Sequence, residues 1–145
     1  MQVASIMNRH FTTVQVDARL GDIETHFSRL KVRHVLVLEQ RQLAGIITPR
    51  DLYGALSPFL GTMAETARDL ATRKRRAHHI MSRNLVTVVQ NTPIVEAARI
   101  FLRRDVSCLP VLSEEGALVG LVTWKDLIKH VVKTAKPQPT QTSWT

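Results

Sequence analysis

The sequence predicts a mixed α/β (α+β) fold made of two copies of one β-α-β-β-α unit. Three observations carry this. The chain repeats itself: Ile6-Met7-Asn8-Arg9-His10-Phe11-Thr12-Thr13-Val14 returns as Ile80-Met81-Ser82-Arg83-Asn84-Leu85-Val86-Thr87-Val88, 74 residues on. Farther along, Gly45-Ile46-Ile47-Thr48-Pro49-Arg50-Asp51-Leu52 returns as Gly120-Leu121-Val122-Thr123-Trp124-Lys125-Asp126-Leu127, 75 residues on. Finally, short β-branched runs alternate with helical spacing in the same order in both copies. A unit of this size buries too little surface alone, so the copies are expected to pack together.

The elements follow in order. Thr12–Val16 and Val86–Val89 read as the first strands. Leu20, Ile23, Phe27 and Leu30 in one copy, and Ile94, Ala97, Ala98, Phe101 and Leu102 in the other, have helical spacing. Thr92-Pro93 reads as a helix start, with a hydroxyl cap and proline in the first turn. Val35–Glu39 and Leu109–Leu112 read as the next strands. The turns Gln40-Arg41-Gln42 and Ser113-Glu114-Glu115-Gly116 lead to strands Leu43–Ile47 and Leu118–Val122. The step from 74 to 75 places one inserted residue in the second turn. A second helix opens near Pro49 and near Trp124, with Thr48 and Thr123 at the cap positions.

This divides the chain into a first repeat (1–58), a helical basic linker (59–79), a second repeat (80–133) and a tail (134–145). The tail carries Pro137 and Pro139, lacks apolar periodicity and is expected to be disordered. Within the linker, Met63–Leu70 has helix formers and apolar spacing. Arg73-Lys74-Arg75-Arg76 reads as a solvated basic segment at a helix end, with contact to nucleic acid as the alternative.

Composition narrows the function classes. The 145 residues are 44% hydrophobic and 22% charged, a globular balance. Aromatics are 5%, which disfavours base-stacking platforms. No apolar run approaches the roughly 20 residues of a membrane span, and the first residues have no signal-peptide pattern. One cysteine, Cys108, precludes an intramolecular disulfide and suits a reducing, cytoplasmic setting. The net charge of +8 favours anionic ligands.

The chemistry lies in the repeated Gly-x-x-Thr-x-x-Asp. A strand ends, a hydroxyl stands at the turn, and a carboxylate stands in the next helical turn. The hydroxyl can hold an anion, and an ionised Asp can accept two ribose hydroxyls. Arg50 and Lys125, just before each Asp, bring positive charge to where a phosphate would lie. The bland alternative is that Thr and Asp only cap a helix. Other constellations are weak: His78-His79 has no carboxylate at ligand spacing, Cys108 reads as a buried inert thiol, and there is no nucleophile elbow, P-loop or dinucleotide fingerprint. No enzyme and no metal are expected.

The duplicated motif resembles the cystathionine β-synthase (CBS) domain, and the tandem resembles the CBS pair called a Bateman module. The resemblance covers about residues 3–133 and extends to stand-alone CBS-pair proteins such as those of the acetoin-utilisation type. It implies pseudo-twofold symmetry, packed sheets and two clefts for AMP, ADP or ATP, with S-adenosylmethionine the weaker candidate. It implies one cleft from Thr48, Arg50, Asp51, Val86, Val106 and Ser107. The other takes Thr123, Lys125, Asp126, Thr12, Val32, Arg33 and His34, and is favoured as the more cationic. It further implies a regulatory homodimer that signals to an unidentified protein partner, with a ligand-free dimerisation scaffold as the alternative. Leu36 departs from the family's proline, which Pro110 keeps, and Trp124 is a bulky residue that would wall or obstruct its cleft.

Overall fold

The computed structural model describes residues 1–135. The first repeat runs β1 (Thr12–Gln15), α1 (Leu20–Leu30), β2 (Val35–Glu39), β3 (Gln42–Ile47) and α2 (Pro49–Ala55). The linker holds α3 (Ala67–Ala71), a 3-10 turn (Thr72–Lys74) and α4 (Ala77–Ile80). The second repeat runs β4 (Val88–Val89), α5 (Ile94–Arg103), β5 (Cys108–Leu112), β6 (Leu118–Thr123) and α6 (Trp124–Thr134). Each repeat forms a three-stranded sheet, β1-β2-β3 and β4-β5-β6, with the first pair parallel and the second antiparallel. No helix among the described residues is long and apolar enough to cross a membrane.

The inserted residue sits in the second hairpin, where the sequence comparison places it. Leu38 pairs with Leu43, while Leu112 pairs with Leu118. The first turn is closed by Gln40 and Arg41, both at positive φ, as a two-residue hairpin requires. In the second, Gly116 takes the positive φ.

Several elements differ from the sequence expectation. The expected strand Val86–Val89 is only Val88–Val89, paired with Val111 and Leu112, whereas its counterpart β1 pairs over four residues. Pro110 is the reason: it has no N–H to give to the ladder, so pairing stops beside it. Leu36, which occupies the same place in β2, lets β1 continue. Thr92 does not cap α5; its Oγ1 accepts from Val89 N–H at 3.1 Å, and Pro93 stands at the cap position. The expected helix Met63–Leu70 begins only at Ala67, because Thr66 N–H bonds Asp69 Oδ2 at 2.7 Å and fixes the start there. Leu30 and Leu102, counted with the apolar stripes, are exposed. The expected tail overlaps α6 at Thr134; the disorder expected of it concerns 136–145, outside the described residues.

Two cores form, and each borrows from the other half of the chain. Leu20, Ile23, Phe27, Val35, Val37, Ile47 and Leu52 pack with Ala77 and Met81. Ile94, Ala97, Phe101, Leu109, Val111, Val122 and Leu127 pack with Val3 and Met7. The crossings are held by paired backbone bonds, Asn8 with Leu121 (2.8 and 2.9 Å) and Ser82 with Ile46 (2.9 and 3.1 Å). The linker boundary drawn at 79 therefore falls inside α4, whose Ala77 belongs to the first core. A third cluster, Leu36, Cys108 and Leu121, joins the two sheets at their shared seam.

Candidate functional site

Both Thr-Asp motifs stand where a buried strand meets a helix. Ile47 and Val122 are fully buried, so the chain must turn outward at Thr48 and Thr123. Asp51 Oδ2 accepts from Thr48 N–H at 2.9 Å and from its hydroxyl at 3.0 Å. Asp126 Oδ2 accepts from Thr123 N–H at 2.8 Å and from its hydroxyl at 3.1 Å. The capping reading is thus realised in both copies. Among the described residues these bonds all fall on Oδ2, and Oδ1 of each Asp takes no part in the cap. The Thr66-Asp69 box contrasts with them: there Oδ1 already accepts from the Ser57 hydroxyl at 2.6 Å, which with the Thr66 bond holds the carboxyl below its ordinary pKa.

The first expected cleft assembles in part. Thr48, Asp51, Val86, Val106 and Ser107 line one cavity of about 90 Å³, together with Ser82, Asn84 and Asp105. Arg50 is the correction: it turns away and lines a different space. That space is a groove of about 560 Å³ between the repeats, where Arg33, His34, Arg50, Ser107, Thr123 and Lys125 converge, with Thr48, Pro49 and Trp124. The second expected set therefore divides. Thr123, Lys125, Arg33 and His34 share the groove; Asp126, Thr12 and Val32 do not line it, and Val32 packs against the first core. Trp124 walls the groove rather than filling it, held by a tilted contact with Phe101 at 5.2 Å between ring centroids.

The electrostatics of the two spaces are opposed. The groove gathers three permanent cations, and among the described residues no carboxylate lines it. The small cavity contains Asp105 beside Asp51. Sequence reasoning missed Asp105, although the repeat offset pairs it with Lys31 and makes the contrast legible. His34 Nε2 lies 3.1 Å from Ser107 Oγ, a bond from one repeat to the other. Burial, and then the Arg33 charge, holds the His34 imidazole below its ordinary pKa. Burial pushes the Cys108 thiol up to about 12.

The basic run is not simply solvated. Arg73 pairs with Glu24 at 3.2 Å, Arg75 donates to Ala55 O at 3.4 Å and Arg76 to Asp17 O at 2.8 Å. These side chains clamp the linker to the first repeat. The His78 and His79 rings meet in a tilted contact, 4.1 Å between centroids, and among the described residues no group of metal-ligating side chains forms.

Comparison with known proteins agrees with this architecture. A CBS-domain family model matches residues 3–58 and 77–133. A CBS domain-containing protein of Dictyostelium discoideum is 33% identical over 141 residues, 96% of this chain and 97% of the relative. A Vibrio cholerae protein assigned to acetoin utilization (AcuB) superposes with TM-score 0.74 at 22% identity, over 94% of this chain and 98% of that one. CBSX2 in complex with AMP superposes with TM-score 0.74 at 20% identity, over 91% and 96%. The cytosolic domain of the Mg2+ channel MgtE in complex with ATP does so with TM-score 0.67 at 25% identity, over 86% of this chain and 46% of that one. Inosine-5'-monophosphate dehydrogenase of Aquifex aeolicus is 29% identical over 119 residues, only 22% of its own length. Two matched segments, two sheets and an exchanged pair of N-terminal arms make this chain a member of the CBS domain family, in its tandem-pair form.

Proposed function

We propose that this chain is a non-enzymatic regulatory module that binds an adenosine nucleotide between its two repeats. The observation that carries the reading is the convergence of Arg33, His34, Arg50 and Lys125 on one groove. Its volume falls within the roughly 300–1,000 Å³ of small-molecule sites, and the 90 Å³ cavity does not. Phosphate oxygens would take the groove, reached from the Asp126 side. There Asp126 Oδ1, Thr12 and Val32 would hold the nucleoside. Asp105 makes the Asp51 side the poorer host for an anion. The complexes of related folds with AMP and with ATP support the ligand class. AMP, ADP and ATP fit a cationic groove; S-adenosylmethionine, which carries a sulfonium cation, fits it less well.

Because the groove is built from both repeats, a phosphate in it would favour one relative arrangement of the two. A partner protein, and a second copy of the chain, would sense that arrangement. Such signalling requires that the nucleotide bind one arrangement more tightly than the other.

A ligand-free scaffold is the second reading, favoured by the self-satisfied caps at Thr48 and Thr123. Isothermal calorimetry with AMP, ADP, ATP and S-adenosylmethionine at fixed salt separates the two. Saturable binding of adenine nucleotides, lost in Arg33→Ala/Lys125→Ala, supports the module. No heat with any of the four ligands sinks it in favour of the scaffold. Arg73, Arg75 and Arg76 already serve the fold, which weighs against a nucleic-acid role.

A further inference from the structure

The linker builds a pocket on the first repeat that the repeat itself does not specify. The pocket, about 540 Å³, lies between α1, α2 and the 3-10 turn, and Glu24, Tyr53, Gly54, Leu56, Leu60 and Arg73 are among the residues that line it. Its volume falls within the range of small-molecule sites. Glu24 and Arg73 are the only charged lining residues, paired at 3.2 Å through Arg73 Nε and Glu24 Oε1. Nε is sealed from solvent and this contact lacks hydrogen-bond geometry, so the pair is unsaturated. The two terminal guanidinium nitrogens and Glu24 Oε2 stand outside it. Gly54 opens the space. It lies inside α2 without a positive φ, and a Cβ on it would meet nothing within 4 Å. Glycine weakens a helix interior, and neither backbone nor packing accounts for it here. In the second repeat Ala98, Ile128, Lys129 and Val131 replace Glu24, Tyr53, Gly54 and Leu56, and Arg73, in the linker, has no counterpart.

We infer that this pocket binds a free α-amino acid with an apolar side chain, at a site separate from the nucleotide groove. The two spaces share no lining residue. Charge sets the ligand class. A lone anion, such as a phosphate, would meet Glu24, and a lone amine would meet Arg73. A neutral ligand would cover both charges and partner neither. A zwitterion answers both: its carboxylate takes the terminal guanidinium nitrogens of Arg73, and its ammonium takes Oε2 of Glu24. The spacing selects the α form. Glu24 and Arg73 are in contact, so the ligand's two charges must also be neighbours, and in an α-amino acid they stand on one carbon. Tyr53, Leu56 and Leu60 offer the side chain an apolar wall, and the open space over Gly54 receives it. The bound amino acid would join the linker to α1 and stabilise the folded chain by mass action.

The test is isothermal calorimetry of the full chain with L-leucine and L-phenylalanine at millimolar concentration. The N-acetyl form of each, which lacks the ammonium, and the amide of each, which lacks the carboxylate, are the comparison ligands. Three variants are titrated alongside. Gly54→Leu fills the pocket, Glu24→Gln removes its anion, and Arg33→Ala/Lys125→Ala strips the nucleotide groove. A helix former over open space should not cost the fold at Gly54, and circular dichroism verifies this. The expected result is saturable binding of at least one amino acid, unchanged in the groove variant. Binding should be at least about tenfold weaker for both capped forms, in Gly54→Leu and in Glu24→Gln, the worth of one charged hydrogen bond. No saturable binding of either amino acid overturns the inference and leaves the nucleotide reading standing. Binding that tolerates a cap, or that survives Gly54→Leu and Glu24→Gln, also overturns it. Loss of binding in the groove variant would place the amino acid there and overturn the assignment of the pocket. Glu24→Gln carries the test alone should Gly54→Leu fail to fold.

Discussion

Gly45 of β3 touches Met81, which follows the linker: a Cβ on Gly45 would lie 2.5 Å from the Met81 sulfur and 2.9 Å from its Cβ. Gly120 and Met7 repeat the contact, at 2.5 and 3.1 Å. The glycine in each Gly-x-x-Thr-x-x-Asp motif therefore admits the arm that crosses from the other half of the chain. Gly45→Ala should destabilise the protein by about 1–3 kcal/mol through overpacking. Met81→Ala should suppress much of that cost in the double variant, since both act on one contact. Urea unfolding of the four proteins measures the coupling; strictly additive losses would refute it.

Asp126→Ala should weaken adenine-nucleotide binding by roughly tenfold to a hundredfold, the worth of a charged hydrogen bond, and Asp51→Ala by less. Each change also removes a cap bond, worth about 1 kcal/mol of stability. Asp69→Ala is the control, because it breaks an equivalent cap in α3, away from the groove and from the small cavity. Calorimetric titration with ATP and AMP reads the result. A larger loss in Asp51→Ala would assign the nucleoside to the small cavity.

Asp105→Lys puts on the Asp51 side the residue that the repeat offset pairs with Asp105, Lys31, and replaces a negative charge by a positive one. It should create or strengthen a second binding event for ATP while leaving the first unchanged. A titration that still fits one site with the same affinity would show that charge is not what separates the two sides.

His34 links stability and binding to pH. Its folded pKa is depressed, so between the ordinary value of 6.5 and that lower value the unfolded chain holds more protons than the native one. The stability that neutral His34 contributes is present above pH 6.5 and is lost as pH falls toward the folded value. Phosphate beside His34 would favour its protonation, so ATP affinity should rise as pH is lowered from 7.5 to 6. His79 is depressed as well, by burial first and then by His78, Arg75 and Arg76. His34→Asn therefore identifies the group: it should flatten the pH dependence of ATP affinity, and an unchanged slope would assign it elsewhere.

Cys108 lies in the seam between the sheets, with its thiol pushed up to about 12 by burial. It should resist a thiol reagent in the native state and react fully in denaturant. Its contribution to stability should fade as pH rises from 9 toward 12, where the unfolded thiol ionises first. Rapid labelling without denaturant would place it at the surface.

The repeat by itself determined a great deal. Two offsets, 74 and 75, located both units, the inserted turn residue and the two Thr-Asp motifs, because local periodicity and capping chemistry are written in neighbouring residues. Pro110 against Leu36 was legible too, and its backbone consequence is the shortened β4. Tertiary structure decided the rest. The exchange of Met7 and Met81 between cores joins residues far apart in sequence, and nothing local announces it. Arg50 and its counterpart Lys125 both face the groove between the repeats, so Arg50 leaves the cavity that Asp51 lines, a placement the shared motif does not announce. The linker's arginines read as solvent-facing charge until Glu24, Ala55 and Asp17 were brought beside them. Leu102 and Ile128 have the spacing of core residues. Only the packing of α5 and α6 shows that the core is already full and that these side chains face outward, because a helix buries one stripe and the fold chooses which.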